Sequence, residues 1–279
     1  MKIDFITYKL LKEIKKSTSY NIIGGIGVFD GVHLAHQHLI KKVVHSSRVF
    51  GMESAIITFY PPTRFLLGKN PYILTTILEK LELFEQFGID RVIIFEFTEE
   101  FSKLSPLDFL GIIKGLGIRS LYVGKDFRFG KGRTGNVAFM KENLDRYKIS
   151  VEALDILSFQ DKKISSTYIK ELILDGKIDK ANRFLGYNFF VKGIVYTKRE
   201  ATSLITHINK VKPPDGIYKA LMENKGEIYI YIKNNSIYLY RDYNLEGKTV
   251  KISFLEKVEK AVKNESLEFT DSKFYAKLY

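Results

Sequence analysis

The sequence predicts an α/β fold: a helix-covered, mostly parallel sheet followed by a small antiparallel β-barrel. Three observations predict it. Short apolar runs alternate with stretches of helical apolar spacing through the first two-thirds. Beyond about Gly186 the texture changes to short, aromatic-rich alternating runs. The length of 279 residues exceeds one ordinary domain and falls well short of three.

Tyr20 to Gly27 reads as a first apolar strand punctuated by glycines. From His36 to Phe50, Leu39, Ile40, Val43 and Val44 recur at helical spacing, and Ser54 to Phe59 reads as a buried strand. Strand, loop, helix, strand is a βαβ unit. The alternation continues with a helix at Leu78 to Phe87, a strand at Arg91 to Phe95, a helix at Pro106 to Leu116 and a strand at Ser120 to Val123. Helical spacing returns at Asn136 to Tyr147, Ser166 to Leu174 and Ile178 to Leu185. In the last third, Gly226 to Lys233, Ser236 to Arg241 and Thr249 to Leu255 alternate as strands between Asn-Asn, Glu-Gly and Pro-Pro-Asp-Gly turn signals. A terminal helix is expected over Glu256 to Asn264. The boundary between the two domains falls at 186/187, giving 1–186 and 187–279.

The chain has no cysteine, which removes disulfides, thiolate zinc sites and cysteine nucleophiles and fits a reducing compartment. Met1 to Lys16 mixes charges with its apolar residues and lacks a signal peptide's apolar core. No run approaches the roughly 20 apolar residues of a membrane span. The expectation is a cytoplasmic protein with no membrane partner. A net charge of +12 would favour anionic partners such as nucleotides, nucleic acid or a membrane surface, and it reads first as lysines spread over solvated faces; no nucleic-acid-binding motif accompanies it, no nucleic-acid partner is expected, and charge alone names no partner.

The run Gly27-Val28-Phe29-Asp30-Gly31-Val32-His33-Leu34-Ala35-His36-Gln37 lies between a strand's carboxyl end and a helix, where open α/β sheets bind ligands. Gly27 and Gly31 let the backbone approach a ligand. The helix N-terminus offers free N–H groups and positive potential to phosphate. His33 and His36 stand three apart, so on a starting helical turn both can face the same phosphates. Alone, that spacing reads as two surface histidines; its place after Gly-x-Phe-Asp-Gly reverses the reading. Zinc is the weaker alternative, since no cysteine and only three other histidines are available. Further on, glycines flank an aromatic and charged cluster from Gly124 to Gly132, which suits a loop closing over a planar phosphorylated ligand; the alternative is an ordinary charged surface loop.

These residues resemble the GxFDGxHxGHQ signature of the bacterial bifunctional riboflavin kinase/FMN adenylyltransferase family, within the HxGH nucleotidyltransferase superfamily. Other segments follow in the family's order: Thr58-Phe59-Tyr60-Pro61, Leu74 to Leu83, Phe97 to Phe101, Gly124 to Gly132, and Ile164-Ser165-Ser166-Thr167-Tyr168-Ile169-Lys170, which looks like ISSTxIR. The resemblance covers roughly residues 20 to 195 and implies a Rossmann-like nucleotidyltransferase domain that makes FAD and pyrophosphate from FMN and ATP.

By resemblance, His33 and His36 contact the ATP phosphates as the FMN phosphate attacks the α-phosphorus. Gly27, Phe29, Asp30 and Gly31 shape the nucleotide loop. Ser165, Ser166, Thr167 and Lys170 hold the outer phosphates, and Asp126, Phe127 and Arg128 are flavin-side contacts. Mg²⁺ is expected with ATP, because it neutralises nucleotide phosphates and needs few dedicated protein ligands. Three positions depart from the pattern. Ala35 replaces the glycine of HxGH, and a methyl group there crowds the nucleotide if the backbone needs φ > 0. Pro62 stands where TFxPHP has histidine. Lys170 keeps the arginine's charge without its bidentate fork.

Gly193-Ile194-Val195-Tyr196, Pro214 to Tyr218 and Gly247 to Val250 resemble the framework of the family's riboflavin kinase barrel. Where the kinase's Pro-Thr-Ala-Asn segment belongs, the chain reads Arg199 to Ile205, and Ile237 to Tyr240 occupies the strand expected to carry the activating carboxylate. A barrel without kinase activity is therefore expected. The alternatives are the full bifunctional enzyme and a flavin- or nucleotide-binding protein that has lost catalysis.

Overall fold

In a computed structural model, the structure describes residues 1–11, 21–63, 72–145, 148–155, 157–159, 161–198, 201–240 and 243–258, with the backbone of 263–264 and 267–268. The chain divides by contact into one unit of Met1–Pro71 with Ile77–Ile164, and a second of Tyr72–Thr76 with Ser165–Tyr279.

The first unit holds β1 (Lys2–Ile6), α1 (Tyr8–Leu11), β2 (Ile22–Ile26), α2 (Leu34–Phe50), β3 (Glu53–Tyr60), α3 (Ile77–Gln86), β4 (Arg91–Glu96), α4 (Glu99–Ser102), α5 (Pro106–Gly115), β5 (Ile118–Gly124), α6 (Val137–Asp145) and β6 (Ser150–Leu154). A two-residue hairpin pair, β7 (Ser158–Phe159) and β8 (Lys162–Lys163), follows. The six long strands form one parallel sheet in the order β1-β4-β3-β2-β5-β6. Every residue of β2 is buried, as expected for a central parallel strand covered on both faces. Gly25 is required there: a Cβ would come within 2.5 Å of Leu39 Cδ2 on α2, so the glycine lets the helix lie close against the strand. β1 is not among the expected strands, although Ile3 and Phe5 alternate with Lys2 and Asp4; on this edge strand both apolar residues are about half exposed.

The second unit contains α7 (Ser166–Leu174), α8 (Ile178–Leu185), β9 (Phe190–Lys198), β10 (Ala201–Thr206), β11 (Gly216–Met222), β12 (Gly226–Lys233), β13 (Ser236–Leu239) and β14 (Thr249–Lys257), with short strands β15 (Lys263–Asn264) and β16 (Leu267–Glu268). β9 to β14 close an antiparallel barrel in the order β10-β13-β12-β11-β14-β9. Alternate residues of β12, Ile228, Ile230 and Ile232, fill its interior.

The expected helix over Glu256 to Asn264 is overturned. Glu256 and Lys257 continue β14, pairing with Lys219 and Tyr218 of β11, and Lys263 and Asn264 pair as a strand with β16. Closing the barrel supplies ladder partners that outweigh the helical pattern. Residues 259–262 of that expected helix lie outside the described residues, as do the ends of three other expected elements, Tyr20, Tyr147 and Arg241.

Candidate nucleotide site

Between β2 and α2 the chain turns through residues that are almost all buried: Phe29 is 1% exposed, Asp30 3%, Val32 0% and His33 4%. Three of the four backbone positions from Phe29 to Val32 are unusual. Phe29 (φ 52°), Gly31 (φ 83°) and Val32 (φ 37°) all take the left-handed region, which glycine tolerates and a β-branched valine does not. Such strain costs on the order of 1–3 kcal/mol per residue and persists only where the surroundings enforce it. The enforcing contacts lie around Val28, whose carbonyl accepts from Lys80 Nζ at 2.8 Å and Thr58 Oγ1 at 3.3 Å, while Gln37 Nε2 donates to the Val32 carbonyl at 2.9 Å.

His33 is the N-cap of α2, its Nδ1 accepting a long 3.4 Å bond from the His36 N–H. The two imidazoles stack with centroids 3.6 Å apart and planes 12° from parallel, and Phe29 meets His36 edge-on at 5.2 Å. Because Nδ1 of His33 accepts, its neutral ring carries the proton on Nε2, a donor. His36 Nδ1 is out of solvent and has no hydrogen-bond partner among the described residues.

Burial lowers the His33 pKa to about 4, against the opposing pull of Asp30. His36 is pushed well below the ordinary histidine value by burial first, then by His33 and Lys80. Both rings are therefore neutral at pH 7, in a pocket that disfavours cations but holds one, the Lys80 ammonium. At the N-terminus of α2 a phosphate oxygen can accept from the Nε2–H of a neutral His33. Ala35 lies in the right-handed first turn of α2 and not at positive φ, so its methyl group carries no backbone strain. Pro62 is buried and brings no donor.

Lys80 and Gln37 had no role assigned from the pattern. Lys80 was detectable: it stands three and four residues before Leu83 and Phe84 on the buried stripe of α3, where a charge needs a partner.

The loop after β5 differs. Phe129 is buried, paired in both directions with Gly135 and packed on Phe109 at 5.1 Å, with Phe127 stacked beside it at 5.8 Å. Asp126 and Arg128 are exposed. Lys163 of β8 donates to Asp126 at 2.8 Å and holds its carboxyl below the usual range.

In the second unit, Ser165 caps α7, its hydroxyl accepting from the Tyr168 N–H at 3.3 Å. Ser166 is half-buried, Thr167 exposed, and Lys170 only 4% exposed with its ammonium donating to the Tyr72 carbonyl at 3.3 Å. Among the described residues no helix is long and apolar enough to cross a membrane.

A family model described as FAD synthetase matches residues 15–168. The bifunctional riboflavin kinase/FMN adenylyltransferase of Bacillus subtilis is 36% identical over 228 residues, 77% of this chain and 72% of that protein. The protein of the same description from Buchnera aphidicola subsp. Schizaphis graminum is 37% identical over 190 residues, 66% and 61% of the two chains. A crystal structure described as a macrolide-efflux protein from Streptococcus pneumoniae superposes with a TM-score of 0.78 over 98% of this chain and 97% of that one, at 21% identity, a likeness of fold alone.

Proposed function

This chain belongs to the FAD synthetase family, and from that membership we propose that it is an FMN adenylyltransferase, with transfer carried by residues 1–186 and the barrel spanning 187–279. The observation that carries the reading is the pair of stacked, buried, neutral imidazoles at the N-terminus of α2, beside the buried Lys80 ammonium.

A phosphate oxygen of FMN attacks the α-phosphorus of ATP, the bond from that phosphorus to the bridging oxygen of the β-phosphate breaks, and pyrophosphate leaves. No covalent enzyme intermediate is needed; the protein aligns two polyanions and stabilises the charge that builds on the α-phosphate oxygens. The Nε2–H of His33 is one such donor. A phosphate beside either ring favours its charged form, so both histidines gain basicity when the nucleotide arrives. Ser165, Ser166 and Thr167 at the N-terminus of α7, with Lys170, serve the β- and γ-phosphates in this reading. Asp126, Phe127 and Arg128 serve the flavin. Mg²⁺ enters bound to the phosphates of ATP, as part of the substrate. No group of three or more His, Asp or Glu among the described residues forms a cage for it, and no step here depends on one.

The kinase half is proposed to be silent. Of Arg199 to Ile205, where the kinase's ATP-binding loop is expected, Arg199 and Glu200 lie outside the described residues and Ala201 to Ile205 run in β10, paired antiparallel with β9. Ile237 and Leu239, on the strand expected to bring the activating carboxylate, are buried in the barrel. Purified protein given FMN, ATP and Mg²⁺ should form FAD and pyrophosphate, and riboflavin in place of FMN should give neither FMN nor FAD. Binding of FMN and ATP without pyrophosphate release would instead mark a binding protein, and FAD from riboflavin would restore the kinase.

A further inference from the structure

Tyr72–Thr76 precede α3 in the chain yet group by contact with the C-terminal unit. Ile73, Leu74 and Thr75 are 3%, 1% and 3% exposed, so the backbone of this segment needs buried partners. The Ile73 N–H donates to the Asn209 carbonyl at 2.8 Å, and the Val211 N–H donates to the Ile73 carbonyl at 3.0 Å, a parallel bridge centred on Lys210. Lys210 then adds its side chain. Its ammonium, in a residue only 2% exposed, donates to the Leu74 carbonyl at 2.6 Å and lies 5.1 and 5.2 Å from the ring centres of Phe189 and Phe190. A buried ammonium is costly unless fully compensated, and this one is directed at a main-chain carbonyl between two aromatic rings.

We propose that Lys210 is a positioning residue for adenylyl transfer. It fixes Leu74, and three residues later Ile77 begins α3, the helix whose Lys80 holds the Val28 carbonyl under the histidine pair. The connection from Leu74 to Lys80 runs through six peptide bonds of continuous chain. Freeing Leu74 loosens the start of α3, and displacements of about 1 Å at a transfer site cost up to roughly a hundredfold in rate. A barrel that no longer phosphorylates riboflavin thus keeps a role, because Lys210 lies between its strands β10 and β11. The inference rests on the proposed transferase activity.

The test is Lys210→Met in the full chain, which keeps the aliphatic stem and removes the ammonium. Amide hydrogen exchange at 72–80 should accelerate while β11 and β12 stay protected. At a temperature where both proteins are folded, kcat for FAD synthesis should fall about tenfold or more, with KM for ATP and FMN changed less. Lys210→Arg should restore much of both. Lys251→Met, which removes an ammonium 4.4 Å from the same Phe190 ring, should behave as wild type. Uniform loss of protection across the barrel would overturn the proposal in favour of plain stability, and so would faster exchange at 72–80 with unchanged kcat. Absence of FAD from the wild-type protein would remove the activity and the positioning role together; exchange at 72–76 still reports on the lysine clamp by itself.

Discussion

The loops after β2 and β5 leave the carboxyl ends of neighbouring parallel strands, yet they are built in opposite ways. From Phe29 to His33 every residue is buried, two non-glycine residues are held at positive φ, and the Val28 carbonyl is fixed by two side chains. From Lys125 to Arg133 the one buried residue is Phe129, and the charges on either side of it face water. The contrast fits the division of labour proposed above. Charge stabilisation needs donors that are in place before the reaction, whereas gripping a substrate tolerates side chains that settle when it arrives. Mutations should therefore separate the loops by kinetic parameter as well as by magnitude.

The largest separation should come from His36→Ala against Arg128→Ala. Removing one preorganised donor costs about 10²–10³ in kcat, so His36→Ala should nearly silence FAD synthesis with modest change in KM. Arg128→Ala, at an exposed position, should raise KM for FMN roughly tenfold and leave kcat close to wild type. Equal kcat losses in both variants would remove the distinction between the loops.

The second separation lies in pH. His33 has a folded pKa of about 4 against 6.5 unfolded. Between those values the unfolded chain binds a proton that the folded chain does not, so stability is full above pH 6.5 and falls as pH drops toward 4. The linked loss is about 3 kcal/mol, and His36 adds to it in the same direction. Asp126 works in a different range: its lowered carboxyl contributes above the usual carboxylate range and loses that contribution only at more acidic pH. Urea unfolding at pH 7, 5.5 and 4.5 should show the steep loss in wild type and a shallower one in His33→Asn, which retains a capping side chain. Parallel profiles for the two proteins would mean that the buried imidazole is not the source.

Much of the first loop was readable in advance because its chemistry follows chain order. Glycine at 31, histidines three apart and a helix start are local signals, and the α/β alternation around them depends on apolar spacing that α2, β3 and β4 obey. What escaped reading depends on contacts distant in sequence. Lys80 reaches a carbonyl 52 residues away and Lys210 one that is 136 away. Nothing near Lys210 marks it as buried, whereas Lys80 sits on an apolar stripe that could have given it away. β14 misled for the same reason: the residues that make Glu256 and Lys257 a strand are Lys219 and Tyr218 on β11.

The smallest expected effect tests whether the β5 loop is as loosely held as its exposure implies. The Lys163–Asp126 pair is close, 2.8 Å, but the two side chains are 51% and 61% exposed. Water and salt screen such a pair, and ordering two side chains offsets part of the attraction, so its contribution is about 0.5 kcal/mol or less. Asp126→Asn should shift the urea midpoint only slightly at low salt and not measurably at 0.5 M salt, a concentration at which the screening length is about 4 Å. A loss above about 1.5 kcal/mol that survives salt would show the pair to be a fixed support of the kind seen under Val28. The β5 loop would then be preorganised as well, and Asp126→Asn should lower kcat in the manner of His36→Ala.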